Sequence, residues 1–269
     1  MTAPLRVAAL QDAARPLDVA GNARRAADSA SRAAQDGARL VLLPELHLCA
    51  YDLPALSADT ATAAVAADRL GRVTDPRLAP LTATAAWHRV TVVVGAAVRR
   101  TDGRLTNSLL VAEPGEGITV AYDKRHLWHD EADLFTAGAA PSMLTVAGWR
   151  LGLGICYDLS FPEHARAAAL AGADVLLYSS AFRTGTEHRA AVYLRARALE
   201  NTVHTVFANP VGGPADRPCN GTSAVYGPDG GITACTAPGD GRPVLADLDP
   251  QAVLSTRAYL RMLAECRDA

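Results

Sequence analysis

The chain has 269 residues and a formal net charge of −2 from 26 basic and 28 acidic side chains. Such a balance excludes a strong electrostatic attraction to nucleic acid or to an anionic membrane surface, so we expect neither as a partner. The sequence has no run of about 18 apolar residues of the kind that spans a membrane, and its first residues lack the layout of a signal peptide. We therefore expect a single cytoplasmic domain over residues 1–269.

The order of apolar runs and helical patterns predicts alternating strands and helices. In the first half, strands are predicted at Leu5–Leu10, Arg39–Leu43, Val90–Val98, Leu105–Val111 and Ile118–Tyr122, and helices at Leu17–Gln35 and Arg77–Trp87. In the second half, strands are predicted at Arg150–Ile155, Asp174–Tyr178, His204–Ala208, Ser223–Tyr226, Gly231–Cys235 and Pro243–Ala246, and helices at Pro162–Ala171, Glu187–Asn201 and from Pro250 onward. This mixture predicts an α/β protein whose helices cover its sheets.

Three chemically distinctive residues, Glu45, Lys124 and Cys156, each follow a predicted strand. Taken singly, a glutamate there is usually a solvated loop residue and a cysteine there is usually part of the core. Strand ends are also where a rigid scaffold presents reactive groups to a shared crevice. Lys124 is the only lysine in the chain, and a compact ammonium is not reproduced by the planar guanidinium of arginine. The three placements together favour a functional role over three unrelated loop or core positions.

The cysteines are dispersed, at Cys49, Cys156, Cys219, Cys235 and Cys266. They form no C-x-x-C pair and no Cys/His spacing typical of zinc, so no metal site is predicted. A dispersed, odd set is typical of a reducing compartment. We expect four of the five to be small apolar residues of the interior.

The segments around the three distinctive residues read Leu42-Leu43-Pro44-Glu45, Tyr122-Asp123-Lys124-Arg125-His126-Leu127-Trp128 and Gly154-Ile155-Cys156-Tyr157-Asp158, the last continuing through Phe161-Pro162-Glu163. They resemble the three signature segments of the nitrilase superfamily of carbon–nitrogen hydrolases. Further similar segments follow in the same order as in that family: Val7–Gln11, Asn107-Ser108, Arg197–Asn201, Asn209, Gly221–Ser223 and Pro228–Gly230. The resemblance therefore extends over nearly the whole chain.

The resemblance implies a four-layer α-β-β-α sandwich that assembles into a homodimer or a larger homo-oligomer. It also implies an enzyme that uses no metal and no organic cofactor. The expected reaction is hydrolysis of a non-peptide carbon–nitrogen bond in a small linear amide or carbamoyl compound, through a thioester. True nitrilases usually read Cys-Trp-Glu where this chain reads Cys156-Tyr157-Asp158. This difference favours an amidase, ω-amidase or carbamoyl-hydrolysing branch.

The resemblance also assigns roles to individual residues. Cys156 is the expected nucleophile and Glu45 the expected base, because an amide carbonyl is a poor electrophile and a thiol needs activation. The ammonium of Lys124 would face the oxyanion, with the backbone N–H of Tyr157 as a second donor. Glu131, which precedes the F-x-x-G sequence at residues 135–138, is expected to orient Lys124.

Four further residues are candidate substrate contacts: Tyr51, Phe182, Arg183 and Glu187. Two positions depart from the family pattern. Many relatives have arginine where this chain has Ser160, and an aromatic residue where it has Ala190. We expect the small alanine to widen one wall of the substrate pocket.

Three alternatives remain open from the sequence. A papain-like Cys–His pair could use one of several histidines (His126, His129, His164, His188 or His204), although no papain-type signature surrounds Cys156. An N-acyltransferase could use the same thioester with an amine in place of water. A catalytically idle binding protein is the third alternative, against which the intact set of reactive residues argues.

Overall fold

The computed structural model describes residues 2–266, so the expected domain limits at residues 1 and 269 lie outside the described residues. The strands are β1 Leu5–Ala9, β2 Leu40–Leu42, β3 Val65–Ala66, β4 Thr91–Arg99, β5 Leu105–Glu113, β6 Gly117–Asp123, β7 Met143–Val146, β8 Trp149–Ile155, β9 Val175–Ser179, β10 His204–Ala208, β11 Val211–Gly212, β12 Cys219–Asn220, β13 Ala224–Tyr226, β14 Ile232–Cys235 and β15 Val244–Leu248. The α-helices are α1 Val19–Gln35, α2 Leu53–Ala58, α3 Thr60–Ala63, α4 Ala79–His88, α5 Pro162–Leu170, α6 Glu187–Asn201 and α7 Pro250–Tyr259. Short 3₁₀ turns cover Pro76–Leu78, His129–Asp133 and Cys156–Ser160.

Two large sheets share one design, a parallel centre with antiparallel edges. The first has the order β15-β1-β2-β4-β5-β6, with β3 paired to β4, and its parallel centre is β1, β2 and β4. The second has the order β14-β13-β10-β9-β8-β7, and its parallel centre is β8, β9 and β10. Because parallel strands end at the same edge of a sheet, the residues that follow them are brought together.

The apolar side chains form three clusters, one between each pair of neighbouring layers in the order helices, first sheet, second sheet, helices. One cluster joins the inner faces of the two sheets and contains Leu42 from the first sheet and Leu177 from the second. A second cluster packs α1 and α4 against the first sheet, and a third packs α5 and α6 against the second. The expected four-layer α-β-β-α sandwich is therefore confirmed. The side of α1 that faces the sheet is rich in alanine, which allows a close approach.

The predicted strands and helices are all present, with limits that differ by two residues or fewer. Helix α1 begins at Val19 rather than Leu17 because the Asp18 carboxylate caps it by accepting a hydrogen bond from the Gly21 N–H. The sequence patterns missed several short elements: α2, α3, β3, β7, β11 and β12. Two to six residues are too few to display a helical or alternating period. Among the described helices, none is both long and apolar enough to cross a membrane.

Candidate active site

The residues that follow the central strands of the two sheets contact each other. The Ser179 hydroxyl, at the end of β9, donates a 2.8 Å hydrogen bond to the Leu43 carbonyl oxygen, just after β2. The backbone N–H of Glu45 lies 3.3 Å from the carbonyl oxygen of Ser180. These contacts join the glutamate turn of the first sheet to the second sheet, where β8 delivers Cys156.

Glu45 is held in a tight turn against strand β4. Leu46, the next residue, adopts a left-handed backbone with φ +49°, and the chain crosses directly over Gly95. A Cβ atom at Gly95 would collide with the Leu46 nitrogen and the Pro44 carbonyl oxygen. The glycine is therefore needed for the glutamate to lie flat against the sheet.

Lys124 follows β6, which runs in the same direction as β2. Strand β2 is parallel to β4, and the two antiparallel pairings β4–β5 and β5–β6 restore that direction in β6. The Lys124 N–H donates a 2.8 Å bond to the Asn107 carbonyl oxygen, and the Lys124 carbonyl oxygen accepts a 2.8 Å bond from the Gly138 N–H. A side chain at Gly138 would strike the Asp123 carbonyl oxygen. The glycine of the F-x-x-G sequence thus has a structural reason: it lets this loop close over the lysine strand.

A buried ion-paired group lies at the centre of the site. The Lys124 Nζ lies 2.7 Å from Oε1 of Glu45 and 2.8 Å from Oε2 of Glu131, and all three side chains are inaccessible to solvent. The Asn107 side chain donates a 2.8 Å bond to the same Glu45 oxygen. Isolated buried charges are strongly unfavourable, so each carboxylate depends on the ammonium. No protein group among the described residues bonds the other Glu45 oxygen, Oε2.

Glu131 is the second carboxylate that binds the Lys124 ammonium. It accepts a 2.7 Å bond from the Tyr51 hydroxyl and a 2.7 Å bond from the Trp128 backbone N–H. Its acidic neighbours Asp130 and Asp133 are exposed, whereas Glu131 is fully buried. Glu131 is therefore a buried residue of the site, unlike the solvated loop acids beside it.

Cys156 sits at a strained turn after β8, with φ +43°, a region that residues with a Cβ adopt at an energetic cost. The buried Asp158 carboxylate supports this turn. It accepts a 3.0 Å bond from the Ile155 N–H, and from the lysine loop it accepts a 2.9 Å bond from the His126 N–H. A further 2.7 Å bond comes from the Tyr122 hydroxyl. Asp158 thus connects the cysteine turn to the loop that carries Lys124.

Burial and the neighbouring charges shift the acidities of these groups. Desolvation, opposed by Lys124 and assisted by Glu131, raises the pKa of Glu45 from 4.5 to about 7. Desolvation and the Glu45 charge raise the pKa of the Cys156 thiol well above its usual value, against the effect of Lys124 and of a hydrogen bond from the Ala181 backbone. Burial alone would lower the pKa of Lys124, but the negative charges around it raise the pKa above its usual value. A neutral thiol beside a carboxylate that can titrate near neutrality is an arrangement suited to proton transfer.

A cavity of about 280 Å³ opens onto this group. Glu45 and Cys156 line it, as do three of the predicted substrate contacts: Tyr51, Phe182 and Arg183. Lys124 and Glu131 are fully buried, and the Lys124 ammonium contacts Glu45 directly. Tyr157 also lines the cavity, and its backbone N–H belongs to the first turn of a 3₁₀ helix, where N–H groups lack a partner within the helix. Within residues 2–266 no cluster of three or more metal-binding side chains is found.

Glu187 and Ala190 do not line the cavity. The Glu187 carboxylate instead accepts a 2.7 Å bond from the Gly185 N–H, and so stabilises the start of α6. The expectation that Ala190 widens one wall of the substrate pocket is wrong, because this residue is buried in the core with Leu194 and Phe182. The residue before it, Arg189, does line the cavity, and its guanidinium lies 5.6 Å from the ring centre of Trp128.

The histidines considered as partners of Cys156 occupy other positions. His126 Nδ1 lies 2.7 Å from Asp158 Oδ1, His164 lies 3.2 Å from the Tyr122 hydroxyl, and His188 is exposed on α6. His129 is an exposed residue at the cavity wall. The geometry favours Glu45 over a histidine as the group that serves the thiol.

Sequence reasoning gave no role to three residues of the site, Asn107, Asp158 and His47. The first two had a visible signal, since each belongs to a segment that resembles the family pattern. His47 had none, because it stands in an apolar run and looks like a core residue. It is buried and lines the cavity two residues after Glu45.

The comparisons with known proteins agree with this geometry. The family model described as Carbon-nitrogen hydrolase matches residues 6–258, and the chain belongs to that family. It is 34% identical over 265 residues to a "Hydrolase in pqqF 5'region" of Pseudomonas protegens, covering 98% of this chain and 89% of that one. It is 32% identical to the "Deaminated glutathione amidase" of Escherichia coli O157:H7, covering 92% of each chain.

A solved relative has the same fold. The NitN amidase from Nesterenkonia sp. AN1 superposes with a TM-score of 0.83 at 26% identity, over 98% of this chain and 96% of that one. A mutant of that amidase, described as a member of the nitrilase superfamily in a related structure, carries acrylamide added at its active-site cysteine. This chain is accordingly an amidase-type carbon–nitrogen hydrolase with a cysteine nucleophile.

Proposed function

We propose that the chain hydrolyses small linear primary amides through a thioester on Cys156, with Glu45 as the proton carrier. The single observation that carries this assignment is that Glu45 and Cys156 line one cavity while the Lys124 ammonium lies 2.7 Å from Oε1 of Glu45. The unbonded Oε2 of Glu45 is then the atom that exchanges protons with the reacting groups.

In the acylation half, Oε2 of Glu45 takes the proton of the Cys156 thiol as the sulfur forms a bond to the amide carbon. The carbonyl oxygen becomes an oxyanion, stabilised by the Lys124 ammonium and by the backbone N–H of Tyr157. When this intermediate collapses, the carbon–nitrogen bond breaks and the proton on Glu45 passes to the departing nitrogen. Ammonia leaves, and the acyl group remains as a thioester.

In the deacylation half, Glu45 takes a proton from a water molecule that attacks the thioester carbon. Collapse of the second oxyanion breaks the carbon–sulfur bond, and the proton returns to the sulfur as the carboxylic acid leaves. Glu131 keeps the Lys124 ammonium directed at both oxyanions, since its own position is set by Tyr51 and Trp128. The cycle restores a neutral thiol and an ionised Glu45.

The cavity volume and wall favour a short acyl chain. A space of about 280 Å³ holds an amide of a few carbon atoms, and Phe182 and Trp128 provide an apolar wall for them. Arg183 is an exposed cation beside this space. We therefore include neutral and carboxylate-bearing amides among the candidate substrates.

The test is a panel of amides, carbamoyl amines and nitriles assayed for ammonia, with Cys156→Ala as the inactive control. Intact-mass spectrometry of the parent during turnover should detect a covalent adduct whose mass equals the acyl group, and hydroxylamine should release it as a hydroxamate. Turnover by Cys156→Ala, or parent turnover without an adduct on that residue, would exclude the thioester. An added amine that diverts the acyl group into an N-acyl product would instead indicate acyl transfer.

We further propose that the chain is a cytoplasmic homodimer. Exposed apolar side chains on the paired helices α5 and α6, namely Leu170, Val192 and Leu199, support an interface there. Analytical ultracentrifugation should give twice the chain mass, and Val192→Asp should shift it toward the monomer. Cell fractionation tests the compartment.

A further inference from the structure

His47 is a buried polar residue of the cavity that the catalytic cycle does not use. It lies two residues after Glu45, and its side chain is 1% exposed. Leu46, between them, packs into the apolar cluster under the first sheet. The turn therefore places Glu45 and His47 along the same cavity wall.

Neither ring nitrogen of His47 has a hydrogen-bond partner among the described residues. Buried polar side chains in proteins are nearly always hydrogen-bonded, so an unpartnered imidazole at a cavity wall points to a bound molecule. Burial, and secondarily the charge of Arg25, lower the pKa of His47 to about 4. The ring is consequently uncharged at neutral pH, with one N–H donor and one nitrogen acceptor.

The charges around the ring narrow the kind of group it can bind. The positive charge of Arg25 disfavours a substrate ammonium at the same place. A carboxylate can only accept, so it would bind the ring only in the tautomer whose N–H faces the cavity. A hydroxyl or a carboxamide can donate or accept, so it can bind whichever ring nitrogen faces the cavity, in either tautomer of the neutral imidazole.

We propose that His47 is a specificity-determining residue that binds an uncharged hydroxyl or carboxamide on the acyl part of the substrate. This inference rests on the proposed amide hydrolysis, because His47 would bind the substrate in the cavity where hydrolysis takes place. It predicts that the enzyme prefers an amide with such a group over an alkyl amide of equal size.

The experiment compares matched amides in which a hydroxyl replaces a methyl group at the second, third or fourth carbon. For the preferred hydroxyamide, His47→Leu should lower kcat/KM about tenfold and leave the alkyl partner within about twofold. His47→Gln, which keeps a donor and an acceptor, should recover most of the preference. His188→Leu, at an exposed histidine of α6 outside the cavity, should keep the parent ratio.

A binding measurement keeps the test independent of turnover and of any instability of His47→Leu. In Cys156→Ala, the ¹⁵N resonances of the His47 ring should shift on addition of the hydroxyamide and remain unchanged with the alkyl partner. Equal hydroxyl-to-methyl ratios in the parent and both His47 variants, with no shift in these resonances, would overturn the role of His47. Absence of ammonia from every amide with the parent would overturn the proposed function itself.

Discussion

The pH dependence of kcat/KM reports directly on the buried carboxylate of Glu45. Only the ionised form can take the thiol proton, so protonation of Glu45 must abolish acylation. The pKa of this group is raised from 4.5 to about 7. At about 1.4 kcal/mol per pKa unit, ionising Glu45 in the cavity is less favourable than in water by roughly 3 kcal/mol.

The pKa of Glu45 determines the expected pH profile of kcat/KM, and the rate should fall on the acidic side. As pH falls through about 7 the rate must fall, because Glu45 gains its proton. Roughly one tenth of Glu45 is ionised at pH 6 and about one hundredth at pH 5, and kcat/KM should decrease in proportion. An ordinary glutamate would keep nearly full activity at pH 6. Initial rates of ammonia release from one amide, measured from pH 4 to pH 9, give the profile.

The matched perturbation is Glu131→Gln, which removes a negative charge that raises the pKa of Glu45. The acidic limb of the profile should move to lower pH, even though the loss of lysine positioning lowers the plateau. Glu116→Gln, at an exposed hairpin residue that does not line the cavity, removes one negative charge and should leave the limb in place. An acidic limb near pH 4.5 in the parent would refute the assignment of desolvation as the controlling effect.

The remaining predictions concern the other charged groups of the site. Lys124→Arg should lower kcat by about 10²–10³, because a guanidinium cannot occupy the same point between two carboxylates; near-parent steady-state rates would contradict this. Glu45→Gln should block both half-reactions, and rapid-quench experiments that detect acyl-enzyme formed at the parent rate would confine Glu45 to deacylation. Asp158→Ala should lower the free energy of unfolding by roughly 3 kcal/mol, since several hydrogen bonds to a buried carboxylate are lost. Urea denaturation measures that change, and an unaltered midpoint would show that the cysteine turn does not depend on Asp158.

Much of the fold and the site could be predicted because the relevant signals are local. Strand and helix positions follow from periodic burial, which a stretch of ten residues already displays. Glu45, Lys124 and Cys156 were found because each stands at the end of a recognisable strand, inside a segment that resembles a known family. Short elements such as α2 and β11 had no such period, and their existence depends on contacts made elsewhere in the chain.

The sequence by itself determined which chemical groups the site contains and the order of the elements that carry them. Only the tertiary structure decided how those groups act on one another. The pKa of Glu45 arises from burial and from Lys124 and Glu131, which lie 79 and 86 residues away along the chain. In the same way, the sequence around His47 indicates a core residue, whereas the folded chain places it beside a cavity. The sequence pattern predicts that Ala190 lies at the pocket, whereas the folded chain places it in the core. Side-chain direction and desolvation depend on all the packed neighbours at once, and no local pattern contains that information.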